Sequence, residues 1–199
     1  MRKWADLTIS KTKSGLITFR HAAERYTREV LIEKSAASQK DNLRELKFLY
    51  MVFDDPPMPL DDITPLEIRQ YLDWRVLYST KIKADKNAAR KEKGLPPIKD
   101  SLGDGRVWAN REKALFSHIF NFARETGFTE KANPCGGVDG YEETGRDIHI
   151  DDDIFRIVWE VAEPHLRDAM DLAYLTALRP ADVRKMSQSD IRGGAVSVR

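Results

Sequence analysis

The chain has 199 residues, 41% of them hydrophobic and 33% charged, with a formal net charge of +1. That length accommodates one large or two small domains, and the composition is that of a soluble globular protein with a heavily charged surface. A disulfide scaffold and a thiolate metal cluster are excluded because Cys135 stands alone, and no apolar run approaches the length of a membrane span.

Met1 to Gly15 is polar and without period, an arm or connector, and no apolar stretch of the kind a secretory signal needs follows Met1 to Asp6. An intracellular, cytoplasmic protein is expected. Thr18 is placed to cap a helix whose apolar face is Phe19, Ala22, Ala23, Tyr26 and Val30. Ser35 to Ser38 breaks it, and a second helix follows with Leu43, Leu46, Leu49, Tyr50 and Phe53 facing inward. Lys40, Arg44 and Lys47 recur every three or four residues on its outer face, which either lies along DNA or is simply solvated.

Asp61-Asp62-Ile63-Thr64-Pro65 forms a cap with proline at the first helical position, and a third helix through Leu66, Ile68, Tyr71, Leu72, Arg75 and Val76 runs to about Tyr78. The stretch Lys81 to Lys93 then carries Lys81, Lys83, Lys86, Arg90, Lys91 and Lys93 against only Asp85 and Glu92. Such a patch either tracks a phosphate backbone or is a solvated loop or frayed helix. Gly94-Leu95-Pro96-Pro97 and Gly103 to Gly105 precede a fourth helix. Trp108, Leu115, Phe116, Ile119, Phe120 and Ala123 face its core side, while Arg106, Asn110, Arg111, Lys113 and Ser117 lie outside.

Lys131 to Arg146 holds Pro134, Gly136, Gly137, Gly140 and Gly145, a density that marks a linker between domains, and Cys135 within it has no catalytic role. The expected division is therefore an arm over 1–15, a helical domain over 16–130, a linker over 131–146 and a second domain over 147–199. Charge is uneven across it: residues 147 to 199 carry seven Lys/Arg against ten Asp/Glu, which leaves net +4 on residues 1 to 146.

Asp151-Asp152-Asp153 precedes the apolar positions Ile154, Ile157, Val158, Val161 and Ala162, so its carboxylates are read as helix caps rather than a metal cage. His21, His118, His149 and His165 have no metal spacing and no H-x-x-R pattern, so no metal site is assigned. Leu166, Ala169, Met170, Ala173 and Ala177 then define a core helix that ends at Arg179, with Pro180 suited to the first turn of the next helix. A guanidinium at such a corner binds two phosphate oxygens at once and stays charged, although a helix-end arginine facing water or pairing with Asp182 has the same spacing. The end of the chain, Gly193 to Arg199, reads as a turn into a strand with nothing left to pair it, so Ala195 to Arg199 is expected to be disordered or to pair with another molecule.

Leu175-Thr176-Ala177-Leu178-Arg179-Pro180-Ala181-Asp182-Val183 resembles the first arginine box of the tyrosine recombinases, the phage integrase family, with Ala177 where the family usually has glycine. The resemblance extends back through Arg146, Asn133-Pro134 and the helix from Phe116 to Gly127, and forward through Ser189-Asp190-Ile191 into a first strand. It implies a mainly α fold: a four-helix core-binding (SAM-like) bundle followed by the N-terminal part of a mixed α/β catalytic domain. It also implies site-specific recombination at a double-stranded DNA attachment site by a phage or prophage integrase, with assembly up to a tetramer on DNA and no metal or ATP. By the same resemblance Arg179 is catalytic, and Lys40, Arg44, Lys81, Lys83, Arg106, Asn110, Arg111 and Arg146 are the DNA-binding candidates. The family's catalytic lysine, its histidines, second arginine and tyrosine nucleophile have no match here, so the chain is expected to be a truncated integrase unable to cleave DNA. The alternatives from other classes are a non-enzymatic helical DNA-binding protein and a helical protein–protein adaptor.

Overall fold

The structure is a computed structural model that describes residues 17–98, 105–143, 150–193, 195 and 196. The chain divides into two compact units, Met1–Thr144 and Gly145–Arg199.

Among the described residues four α-helices build the first unit, and each begins on a side chain or residue suited to the job. α1 (Phe19–Glu29) starts where the Thr18 hydroxyl accepts from the His21 N–H, and α2 (Ala36–Phe53) where the Ser35 hydroxyl accepts from the Ser38 N–H at 3.3 Å. α3 (Pro65–Glu92) opens with Pro65 in its first turn and a capping box in which the Thr64 N–H donates to Glu67 Oε2 at 2.8 Å. α4 (Arg106–Glu125) follows Gly105 at φ +98°, where a Cβ would come within 2.7 Å of the Ser79 Cβ, so only glycine fits the turn.

α4 packs against α1, α2 and α3, and the core gathers around its Phe116. Phe19 stacks on Phe116 with ring centroids 5.0 Å apart, and Phe53 lies 4.9 Å from Phe116 and 5.4 Å from Tyr71. Rings in this arrangement contribute about 0.5–1.5 kcal/mol per pair beyond their buried area. One ion pair sits in the same interior: Arg75 Nε donates to Glu112 Oε2 at 2.8 Å and Oε1 at 3.0 Å, and the Tyr71 hydroxyl donates to Oε2 at 2.7 Å. Burial pushes the Glu112 carboxyl above its ordinary range, and the donors from Arg75 and Tyr71 oppose that.

The segment after α4 stays with this unit. Asn133 donates to the Ser117 carbonyl at 3.1 Å and hydroxyl at 2.9 Å, Lys113 donates to the Val138 carbonyl, and Cys135 and Val138 are buried in the core. Residues 131–143 therefore run back along α4 through side-chain-to-backbone bonds, without regular secondary structure.

Three expectations need correction here. α3 does not end near Tyr78: it continues to Glu92, because Lys81, Ala84, Lys86, Ala88, Ala89 and Arg90 are strong helix formers. Leu43 is 47% exposed rather than inward, since no residue of α2 before Glu45 is buried by the bundle. Asn110, Lys113 and Ser117 are not on an open face of α4, for residues 133–143 cover them.

The second unit holds α5 (Asp152–Val161), α6 (Pro164–Thr176), α7 (Pro180–Val183) and a two-stranded antiparallel hairpin of β1 (Ile191–Arg192) and β2 (Ala195–Val196). Asp151 caps α5 by accepting from the Ile154 N–H at 3.0 Å. Arg167 satisfies carbonyls at the far end of α5, donating to Ala162 at 2.9 Å and Glu160 at 2.6 Å while lying 4.7 Å over the Trp159 ring. The expected core character of α6 is not met: Val183 is the one buried side chain among the described residues of this unit, and Val161 and Leu175 are 81% and 80% exposed. The final strand is corrected too, because Ala195–Val196 pairs with Ile191–Arg192 of the same chain. Residues 197–199 lie outside the described residues, as do the arm at 1–15 and Arg146.

Candidate nucleic-acid interface

The cations of α2 and α4 converge on one indole. Lys40, Arg44 and Lys47 are exposed along α2, and the Arg44 guanidinium lies 4.3 Å over the Trp108 ring while pairing with Asp41 at 3.1 Å. Arg111, one turn further along α4 than Trp108, lies 5.4 Å from the same ring. Stacking of this kind holds a long side chain in place, so one ring positions both arginines. Helical spacing alone predicts Trp108 in the core. The ring is only half-buried, and the signal for its role is its position between Arg106 and Arg111.

A second aromatic does the same one step away. Tyr141 receives Arg69 at 4.9 Å and Arg106 at 5.5 Å, and its hydroxyl donates to Asp73 at 2.7 Å. Burial and that bond to Asp73 raise the Tyr141 hydroxyl, while Arg69 holds the Asp73 carboxyl below its usual range. Tyr141 is itself fixed by Asn110, whose amide nitrogen donates to the Tyr141 carbonyl and to Glu143 at 2.8 Å each and whose oxygen accepts from the Tyr141 N–H at 2.8 Å. Gly140 is needed at this crossing, because a Cβ there would lie 2.7 Å from Asn110 Oδ1. Asn110 therefore uses its amide within the fold, and its position is that of a residue that places Tyr141 and Arg106.

Lys81 and Lys83 do not share a surface. Two residues apart on the continuous helix α3, they are separated by about 200° around its axis, and Lys81 is exposed whereas Lys83 is half-buried. Lys83 and Lys86 line a cleft of about 240 Å³ between α2, α3 and α4, together with Phe48, Tyr78, Gly105 and Trp108.

In the second unit Arg179 is the residue immediately before α7, and its carbonyl accepts from the N–H groups of Asp182 at 2.8 Å and Val183 at 3.0 Å. Its side chain is exposed, and among the described residues it has no hydrogen-bonding or ionic partner, Asp182 included. The turn that delivers it bends at Ala177, which adopts φ +54° and ψ 23°, the left-handed conformation that favours glycine. Among the described residues no group of three His, Cys, Asp or Glu is arranged for a metal ion, and no helix is long and apolar enough to cross a membrane.

No family model matches this chain, and no curated protein matches its sequence. Its fold is similar to that of a lambda integrase dimer crystallised bound to a COC′ core site, with a TM-score of 0.64 and 21% identity over 99% of this chain and 49% of that one. The chain thus spans about half the length of that integrase. The architecture is accordingly mainly helical and resembles the fold of that integrase, with a helical bundle in the first unit and helices with a small hairpin in the second.

Proposed function

We propose that this chain is the DNA-holding part of a tyrosine recombinase, in which residues 16–130 with the packed segment after them grip duplex DNA and residues 147–199 begin the catalytic domain. The observation that carries this is the fold likeness to a DNA-bound integrase along nearly the whole chain. The convergence of Arg44 and Arg111 on Trp108, and of Arg69 and Arg106 on Tyr141, supports it, since it sets four guanidinium groups on aromatic rings, and guanidinium groups are suited to phosphate and base-edge contacts. Exposed apolar side chains on α5 and α6, Ile154, Ile157, Val158, Val161, Leu166 and Leu175, fit a second unit whose core is completed by further chain.

In the proposed reaction a tyrosine hydroxyl supplied outside the matched residues attacks the scissile phosphate. Arg179 stabilises charge on the five-coordinate phosphorus, and bond energy is kept in the 3′-phosphotyrosyl link. No residue of this chain is proposed as the nucleophile, so the 199-residue chain binds DNA and forms no covalent adduct. Titration of the purified chain with labelled duplex DNA, across a salt series, is the test. Absence of binding at low salt overturns the proposal, and a covalent adduct on a nicked duplex overturns its division of labour. The alternative of a non-enzymatic DNA-binding protein shares the binding result and differs at Arg179, whose variants then have no effect on any strand cleavage.

A further inference from the structure

Continuity of α3 through residues 81–92 arranges charges that look random in sequence. On a helix of 3.6 residues per turn, Lys83, Lys86, Arg90 and Lys93 fall within about 80° of one another, whereas Asp85 and Glu92 lie about 120–140° from the middle of that stripe and Lys81 and Lys91 are on the far side with them. Lys93, the residue that ends the helix, and Lys86 are exposed; Lys83 and Lys86 border the same cleft as Trp108, the ring that carries Arg44 and Arg111. The basic face therefore continues from the α2 and α4 cations onto α3 without an intervening acid among the cleft-lining residues. Arg90 is partly committed elsewhere: its Nε donates to the Pro96 carbonyl at 2.7 Å, which with the Ile98 N–H donating to Asn87 at 2.8 Å folds residues 94–98 back along the helix edge.

We infer that the C-terminal half of α3 is a phosphate-tracking rod, with Lys83, Lys86 and Lys93 lying along the backbone of the duplex that Arg44 and Arg111 engage; this rests on the DNA-binding function proposed above. The lengths agree. From Lys83 to Lys93 the helix rises about 15 Å, while a strand advances about 3.4 Å per phosphate along the duplex axis and further along its own inclined path, so the stripe reaches at most about four phosphates and has one lysine for each of two or three of them. Lysine is suited to this task, a compact charge on a flexible stem that tracks phosphates without reading bases. An anionic membrane is a poorer occupant, because an interfacial helix needs a broad apolar face and this stretch offers Ile82 alone among large apolar residues.

The experiment compares the full chain, a stripe variant Lys83→Gln/Lys86→Gln/Lys93→Gln and a far-side variant Lys91→Gln, each titrated with two duplexes of unrelated sequence over a salt series. The expected result is that the stripe variant lowers the slope of log affinity against log salt by about two to three, near 0.9 for each phosphate no longer neutralised, and equally on both duplexes. The far-side variant keeps the wild-type slope. If the stripe variant melts earlier than wild type, Lys86→Gln/Lys93→Gln replaces it, both positions being exposed, with an expected slope change of about two. A wild-type slope in a folded stripe variant overturns the inference and leaves the DNA-binding function standing, as does an equal loss in the far-side variant, which would reflect net charge alone. Loss on one duplex only overturns it in favour of base reading. Stronger stripe-dependent binding to phosphatidylserine vesicles than to DNA overturns it in favour of a membrane. Failure of the wild-type chain to bind either duplex overturns the proposed function itself.

Discussion

The Arg44 guanidinium on α2 lies 4.3 Å over the indole of Trp108 on α4, so one ring couples the two helices that present cations on the proposed DNA face. Replacing Trp108 by alanine releases Arg44 and Arg111 together. Each stacking interaction is worth about 0.5–1 kcal/mol at an exposed site, so duplex affinity is expected to fall about 5- to 30-fold, with Trp108→Phe intermediate. Binding titrations of the two variants at fixed salt check this, and equal affinity of Trp108→Ala and wild type would remove the ring from the interface.

The Arg75–Glu112 pair makes a prediction about stability rather than binding. Both side chains are nearly inaccessible, at 7% and 1%, so removing one leaves a buried charge without its partner. Glu112→Ala is expected to cost about 3–5 kcal/mol. The triple variant Tyr71→Phe/Arg75→Met/Glu112→Leu removes every polar group of the cluster and is expected to recover most of that loss. Urea denaturation of the single and triple variants decides, and a triple variant as unstable as Glu112→Ala would mean that packing of the pair matters more than its charge.

The parts of the fold that can be read from the sequence are those with an apolar period. Phe19, Ala22, Ala23 and Tyr26 announce α1, and Leu115, Phe116, Ile119, Phe120 and Ala123 announce α4, because a stripe recurring every three or four residues has to be covered. Past Tyr78 the period stops, and α3 continues on helix propensity alone, which is why the charged stretch reads equally as loop or frayed helix. Residues 131–143 read as linker since their attachment is through single bonds such as Asn133 to Ser117 and Asn110 to Tyr141, across 16 and 31 residues, which no local pattern encodes. The same bonds take Asn110 away from a surface role. The pairing of Ala195–Val196 with Ile191–Arg192 escapes notice for a related reason, since two-residue strands carry no alternation to read.

Cys135 offers a probe of that packed segment. Its thiol is buried and burial pushes its pKa up to about 11, whereas an unperturbed thiol ionises near 8.5. At pH 8 the native thiolate fraction is therefore roughly a hundredfold below that of an exposed cysteine. Alkylation by iodoacetamide is expected to be at least that much slower in the folded chain than in urea. Asn133→Ala, which loses the bonds to Ser117 and Asn121, is expected to accelerate it. Native reactivity equal to that in urea would mean that residues 131–143 do not hold their place on α4.

Ala177 carries a backbone conformation that suits glycine, at φ +54°. Left-handed geometry costs a residue with a Cβ about 1–2 kcal/mol, and glycine returns about 0.5–1 kcal/mol of that through the entropy of its unfolded chain. Ala177→Gly is thus expected to stabilise the second unit by up to about 1 kcal/mol, and Ala177→Val, with its branched Cβ, to destabilise it by more than that. Thermal unfolding followed by circular dichroism reads the two signs. Destabilisation by both would place the bend elsewhere than at Ala177.

Arg179 leaves the shoulder of α7 with its side chain exposed and, among the described residues, without a partner, so its replacement tests chemistry with little interference from stability. Arg179→Lys keeps the charge and loses the planar two-pronged grip. A surface arginine with no task tolerates that change within about 0.5 kcal/mol, in stability as in activity. A guanidinium that holds the scissile phosphate does not: loss of one such donor lowers the chemical step by about 10²–10³. In a protein that carries this chain together with a tyrosine nucleophile, Arg179→Lys is therefore expected to melt with wild type and to bind duplex DNA within about twofold of it, yet to cleave at least about 10² more slowly in a single turnover. The two ranges do not overlap, and unchanged cleavage would reduce Arg179 to a surface arginine and leave the second unit without a catalytic assignment.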